Sequence, residues 1–176
     1  MTTEILSKKK IYEGLIFDVS HYEITLPNGK SGQRDIIEHN GACLIIPVTN
    51  DGQLVMVRQY RTGANAVLLE FPAGKLDKGE EPEKCALREL AEETGYVASK
   101  IRRLMQVHPV PPWCTELVNV FLAEDLTLAE TNLDEEEFVE VELHSLTDLL
   151  DMVDKGELVD MKTVMGVLLY ERIRNI

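Results

Sequence analysis

An α/β sandwich is the fold class this sequence predicts, and three observations predict it. Short apolar segments bounded by turn residues recur along most of the chain, one strongly helical stretch interrupts them, and two amphipathic helices occupy about the last thirty residues. Mixed strands with intervening helices favour a sandwich over a simple repeat of strand, helix and strand. At 176 residues with 44% hydrophobic content, the chain is long enough for one substantial core, with an N-terminal appendage.

The elements follow in order. His21 to Leu26 alternates, Pro27-Asn28-Gly29 makes a turn, and Arg34 to His39 resumes an extended pattern, so residues 11–40 read as a strand region closed into a hairpin. Cys43 to Val48 is a nearly continuous apolar run. Leu54 to Val57 follows the turn Asn50-Asp51-Gly52, which predicts that these two strands pair with each other. Val67 to Phe71 is a further short strand, stopped by Pro72. From Pro82 to Thr94 the apolar positions Ala86, Leu87, Leu90 and Ala91 take helical spacing, and Gly95 is the stop. Ile101 to Val107, Leu117 to Leu122 and Phe138 to Leu143 read as strands, and Ser145 to Lys155 and Asp160 to Ile173 as the closing helices.

Composition narrows the function. With 31 acidic against 18 basic residues the net charge is −13, which excludes a general nucleic-acid surface. An acidic protein that handles a polyphosphate needs cations between the two. No apolar run is long enough for a membrane helix and no signal-peptide pattern precedes Ile11, so a cytoplasmic protein without membrane partners is expected. Cys43, Cys85 and Cys114 are widely spaced and form no CxxC pair, so they read as reduced thiols in or near the core.

The central pattern is Gly74, Glu80, then Arg88-Glu89-Leu90, Glu92-Glu93 and Gly95. On a helix Glu89, Glu92 and Glu93 share one face, an arrangement that destabilises the helix by a few tenths of a kcal/mol per like-charged pair unless something compensates. A solvated acidic face is the bland alternative. Even with Leu90 set aside, the seven other fixed positions coincide by chance about once in 10⁸ windows at average residue usage, which argues against it. Clustered carboxylates with few nitrogen or sulfur competitors suit hard cations such as Mg²⁺ or Mn²⁺, and such cations bridge phosphate oxygens. Hydrolysis of a phosphoanhydride is the matching reaction.

This spacing is similar to the Nudix box, the loop, helix and loop signature of the Nudix hydrolases. All its fixed positions match; only the last departs, with Tyr96 where the pattern prefers an aliphatic residue, and Tyr96 reads as core packing. The resemblance extends to the ADP-ribose pyrophosphatase and nucleoside diphosphate sugar hydrolase branch through Val57 to Arg61, Glu70 to Lys75, Pro111 to Glu116, Val120 to Ala123 and Asp134 to Val141. It implies a Nudix α/β/α sandwich with a mixed sheet, divided into an N-terminal β segment (1–40) serving dimerisation and substrate contacts and a hydrolase domain (41–176). It further implies two or three Mg²⁺ ions, with Mn²⁺ as substitute, held by Glu89, Glu93 and the Ala73 carbonyl, with Glu92 assisting. Glu80 and Arg88 would hold the box together, and Gly74 and Gly95 would permit backbone turns.

The same resemblance assigns the attacking water to a carboxylate in the acidic run, Glu137 first, then Glu140 and Glu135. Arg61 and Arg34 would contact phosphate or nucleotide, while Trp113 and Glu116 would face base and ribose. Arg58 and the histidines carry no assigned chemistry, Arg58 being read as solvated. A proline about sixteen residues beyond the box marks ADP-ribose hydrolases, and Pro112 takes that place, although Val110-Pro111-Pro112-Trp113 stands where the branch has Ser-Pro-Gly-Phe. The implied substrate is ADP-ribose or a related nucleoside diphosphate sugar, acted on by a homodimer. A GDP-mannose or broad nucleotide-sugar hydrolase, and a non-catalytic nucleotide-sugar sensor, remain as alternatives.

Overall fold

The computed structural model describes residues 3–129 and 138–174, and the chain divides into two compact units. Of the described residues, 3–41 and 107–118 form the first, and 42–106, 119–129 and 138–174 form the second.

In the first unit β1 (Glu4–Glu13), β2 (Asp18–Thr25) and β3 (Ser31–Glu38) make an antiparallel sheet in that order. The β2–β3 turn is the expected hairpin: the Gly29 amide donates to the Leu26 carbonyl at 2.8 Å, and Gly29 takes φ 78°, a conformation suited to glycine. The sequence pattern did not resolve β1. All ten of its residues are exposed, so backbone pairing to β2 holds it and no buried face imposes an alternation. The Pro111–Glu116 loop is strapped to the end of β3, with Ile37 donating to the Trp113 carbonyl at 2.8 Å and Thr115 donating to the Ile37 carbonyl at 2.9 Å.

The second unit holds two sheets. One has the order β10 (Val139–His144), β5 (Leu54–Arg61), β6 (Ala66–Glu70). The other has the order β7 (Ala73–Lys75), β4 (Ala42–Pro47), β9 (Val118–Leu128), β8 (Tyr96–Val107). The expected pairing of β4 with β5 is corrected: they lie in different sheets, joined only by the turn through Gly52 and a single bridge from Val48 to Leu54. A run buried on both faces carries no record of which strand lies beside it. β5 instead pairs with β6 and β10, both antiparallel.

Helix α1 (Pro82–Thr94) has the bounds the sequence indicates, with Pro82 in its first turn and Gly95 as a left-handed cap at φ 70°. Its apolar residues Cys85, Ala86 and Leu90 pack with Cys43 and Ile45 of β4, and Tyr96 packs against the same core. The alternate residue Ile46 faces the other way, towards Gly166 of α3 (Met161–Ile173), where an added Cβ would lie 2.9 Å from the Phe71 ring and 3.6 Å from Ile46. Strand β4 is therefore covered by a helix on each face, which is why it reads as an unbroken apolar run. Helix α2 (Leu146–Asp154) is capped by Ser145 and α3 by Asp160, each side chain accepting an amide of the first turn. All three cysteines are free thiols, Cys43 and Cys85 buried and Cys114 half-buried.

Candidate active site

The buried stripe of α1 runs Cys85, Glu89, Glu93 at four-residue spacing, beside Ala86, Leu90 and Thr94. Of Glu89, Glu92 and Glu93, two thus sit on the face turned into the protein: Glu89 is 8% exposed and Glu93 3%. A solvated acidic face is thereby excluded. Burying charge without partners costs several kcal/mol per ion, so the surroundings must supply donors.

Arg88 is one source. Its Nε and Nη2 each donate to the Glu80 carboxylate at 3.0 Å, while Nη1 donates to Glu89 at 2.8 Å and Glu92 at 2.9 Å. One guanidinium thereby serves three carboxylates, and the like-charged helix face is compensated from within the box. Glu80 also accepts the Asp77 amide at 3.0 Å; the Arg88 contact, aided by that amide, holds its carboxyl below the usual range. Those three carboxylates in turn push the Arg88 pKa up, Glu80 foremost.

The second source is the backbone. The Ala73 amide donates to Glu93 at 2.9 Å, which joins the end of α1 to the start of β7. Beside it Gly74 lies so close to Glu89 that a Cβ would fall 1.8 Å from the carboxylate carbon and 2.0 and 2.3 Å from its oxygens. The role expected for Gly74, a permitted backbone turn, is corrected. Its φ is not in the left-handed region, and glycine is needed because the Glu89 carboxylate occupies the space of a side chain. Gly95 keeps the expected role.

Two carboxylates therefore meet one stretch of backbone, Glu93 at the Ala73 amide and Glu89 at Gly74. Oxygen donors of this kind fit a hard divalent cation. Among the described residues no three carboxylate, imidazole or thiol groups are already grouped around one cation position. Glu89 and Glu92 share the Arg88 guanidinium, and Glu93 accepts the Ala73 amide.

Arg61, at the end of β5, forms a bidentate pair with Glu70, Nε and Nη2 each 2.8 Å from a carboxylate oxygen. The Glu70 contact, with smaller contributions from Glu93 and Asp160, raises the Arg61 pKa. Glu70 is 1% exposed, and it also binds Lys162 of α3. Burial works to raise its pKa, but Arg61 and Lys162 prevail and bring it below the usual carboxylate range. Sequence reasoning placed Glu70 only within a stretch of resemblance and missed Lys162. Their contact spans 92 positions and leaves no local signal.

The remaining expected residues are distributed as follows. Glu140 is exposed on β10 and stands opposite Arg58 in register. Arg58, read from sequence as solvated, instead pairs with Glu142 at 2.6 and 3.1 Å. Glu135 and Glu137 lie outside the described residues. Arg34, Trp113 and Glu116 belong to the first unit. Arg34 donates to the Gln33 carbonyl, Trp113 is 48% exposed on its loop, and Glu116 is half-buried, 3.8 Å from His39 Nδ1.

Such a site, a helix whose buried carboxylates are held by its own arginine and by the backbone of an adjoining strand, defines the class as an α/β protein with a buried acidic helix face. A model of the NUDIX domain matches residues 38–164, and the chain belongs to the Nudix family of hydrolases. It is 43% identical over 164 residues to the ADP-ribose pyrophosphatase of Bacillus subtilis (strain 168), covering 92% of this chain and 89% of that one. It is 36% identical over 164 residues to the methanol dehydrogenase activator of Bacillus methanolicus, again covering 92% and 89%. A crystal structure of an ADP compounds hydrolase superposes with a TM-score of 0.84 at 24% identity, over 98% of this chain and 94% of that one, and this likeness carries the α/β fold.

Proposed function

We propose that this protein hydrolyses the diphosphate of ADP-ribose, or of a closely related nucleoside diphosphate sugar, to a nucleoside monophosphate and a sugar phosphate. The observation that carries the reaction class is the convergence of buried Glu89 and Glu93 on the Ala73–Gly74 segment. The B. subtilis relative, an ADP-ribose pyrophosphatase by name, supports the choice of substrate.

In this reading Glu89, Glu93 and the Ala73 carbonyl hold Mg²⁺, with Mn²⁺ as substitute and two or three ions per site, and Glu92 assists. When bound, such ions neutralise charge on the diphosphate and lower the pKa of water at the site. Arg88 keeps Glu89 and Glu92 oriented. Glu137 takes the proton of the attacking water, with Glu140 as the next choice, and attack proceeds in line on one phosphorus. Arg61 contacts the diphosphate through its guanidinium, and Arg34, Trp113 and Glu116 contribute nucleotide contacts.

We also infer a homodimer formed through the N-terminal sheet. Ile5, Leu6, Ile11, Tyr12, Leu15 and Ile16 are each more than half exposed, an apolar surface that a second copy would cover. No helix among the described residues is long and apolar enough to cross a membrane.

The test is product release from ADP-ribose and GDP-mannose with Mg²⁺, comparing the native protein with Glu93→Gln. Metal-dependent turnover of ADP-ribose that collapses in the variant is expected. Binding of nucleotide sugar without turnover by the native protein would replace the hydrolase with a sensor, and undiminished turnover by Glu93→Gln would remove Glu93 from the metal site.

A further inference from the structure

Glu70 is a buried carboxylate held by two cations, Arg61 and Lys162. Buried ion pairs are weak contributors to stability, because desolvation offsets the attraction, and an apolar pair of similar volume often serves as well. Yet here a carboxylate that is 1% exposed receives three charged N–H donors, two from Arg61 and one from Lys162. Lys162 is itself anchored, 2.9 Å from the N-cap carboxylate of Asp160. The next residue of α3 continues the attachment: Thr163 Oγ1 accepts the Phe71 amide at 3.0 Å and donates to Asp160 at 2.6 Å.

The first turn of α3 thus grips two successive residues, Glu70 by its side chain and Phe71 by its backbone. Two positions further on, the Ala73 amide holds Glu93. The segment from Glu70 to Ala73 is fixed at one end to Arg61 and α3 and at the other to the carboxylate helix. The consequence is geometric. The Arg61 guanidinium is tied through Glu70 to the same stretch of backbone whose Ala73 amide holds Glu93. Its side chain remains 38% exposed, so it is held without being enclosed.

We propose that Glu70 and Lys162 are positioning residues for Arg61, holding its guanidinium where the diphosphate of the substrate arrives. This rests on the reading that Arg61 contacts the substrate. Glu70 fixes the direction of the guanidinium through two parallel bonds, and Lys162 fixes Glu70 to α3. A guanidinium released from this hold would sample many rotamers and pay an ordering entropy on each binding event, which raises KM more than it lowers kcat.

The experiment measures kcat and KM for ADP-ribose with Mg²⁺ in Arg61→Ala, Glu70→Gln, Lys162→Met and Lys162→Arg. Glu70→Gln and Lys162→Met are then repeated in the Arg61→Ala background, with thermal unfolding recorded for each protein. Arg61→Ala is expected to raise KM by about 10- to 100-fold. Glu70→Gln should approach that loss, Lys162→Met should raise KM by roughly 3- to 10-fold, and Lys162→Arg should restore most of it.

The decisive comparison is additivity. If the two residues act through Arg61, their substitution in the Arg61→Ala background changes KM by less than about 2-fold. Full additivity would overturn the positioning role, as would loss of melting temperature with unchanged KM, while leaving Arg61 as a substrate contact. An Arg61→Ala protein with native KM would remove the substrate contact and this inference together. Should Glu70→Gln fail to fold, the Lys162 pair decides, because Lys162 is partly exposed and its loss leaves the Arg61–Glu70 pair intact.

Discussion

Replacing Gly74 with alanine tests the site at its tightest point. The new Cβ would stand 1.8 Å from the Glu89 carboxylate carbon, where real Cβ atoms essentially never come closer than 3.0 Å, so the carboxylate must retreat by about 1.2 Å to relieve the overlap alone. Glu89 is 8% exposed and holds Arg88 at 2.8 Å, so retreat also disturbs the guanidinium that serves Glu80 and Glu92. A displacement of about 1 Å in a positioned group costs roughly 10²-fold in rate, or about 2.7 kcal/mol of transition-state stabilisation. Overpacking should lower folding stability by about 1–3 kcal/mol. The assay is kcat/KM for ADP-ribose over a range of Mg²⁺ concentrations, with urea unfolding of the same protein. A fall near 10²-fold and a higher Mg²⁺ requirement are expected. In Gly74→Ala combined with Glu89→Asp, the shorter side chain vacates the contested space, so stability should recover while turnover stays low. Native kcat/KM in Gly74→Ala would refute the argument, because it would mean that the position of the Glu89 carboxylate does not matter to the reaction.

Further outcomes follow from other features. The bidentate contact with Arg58, helped by His144, lowers the Glu142 pKa to about 2 from its usual 4.5, so the contact's stabilisation is complete above about pH 4.5 and is lost as pH falls towards 2. Discounted for partial exposure it amounts to roughly 1 kcal/mol, and the urea midpoint of Glu142→Gln should fall less steeply than that of the native protein below about pH 4.5. Gly95→Ala places a Cβ at φ 70° and should lower stability by about 1–2 kcal/mol, read from urea unfolding. A thiol reagent applied to the folded protein should label Cys114 first and leave buried Cys43 and Cys85 unmodified until denaturant is added. Chelation of divalent cations should abolish turnover of ADP-ribose and restoration of Mg²⁺ should recover it, as followed by product release.

Legibility in the sequence varied with the kind of signal each element carries. The ends of α1 were readable because Pro82 and Gly95 are local punctuation, and the carboxylates because helical spacing fixes which of them share a face. That Glu89 and Glu93 are the buried ones could be inferred from their four-residue step beyond Cys85, a stripe obscured by the neighbouring acids. Strand β1 was missed because none of its faces is buried, and β7 because three residues are too few to show a period. The partner of β4 was misread because a turn of hairpin type here joins two sheets. Glu70 and Lys162 were out of reach of pattern reasoning, since an ion pair between β6 and α3 depends on the fold that brings them together.

The attachment of α3 to Glu70 and Phe71 also bears on the order in which the site comes into being. Every carboxylate of the box has been made once the chain reaches Gly95, and α1 can form with its Arg88 network in place. The residues that pin Glu70 and Phe71 belong to the last helix, so at synthesis rates of about 5–20 residues per second they emerge several seconds after the box. A nascent chain passes through a stage in which the acidic cluster exists while Arg61 and the 70–73 segment are not yet anchored. Formation of the Arg88 network should therefore precede the anchoring of Arg61 and of the 70–73 segment, with docking of α3 as the step that separates them.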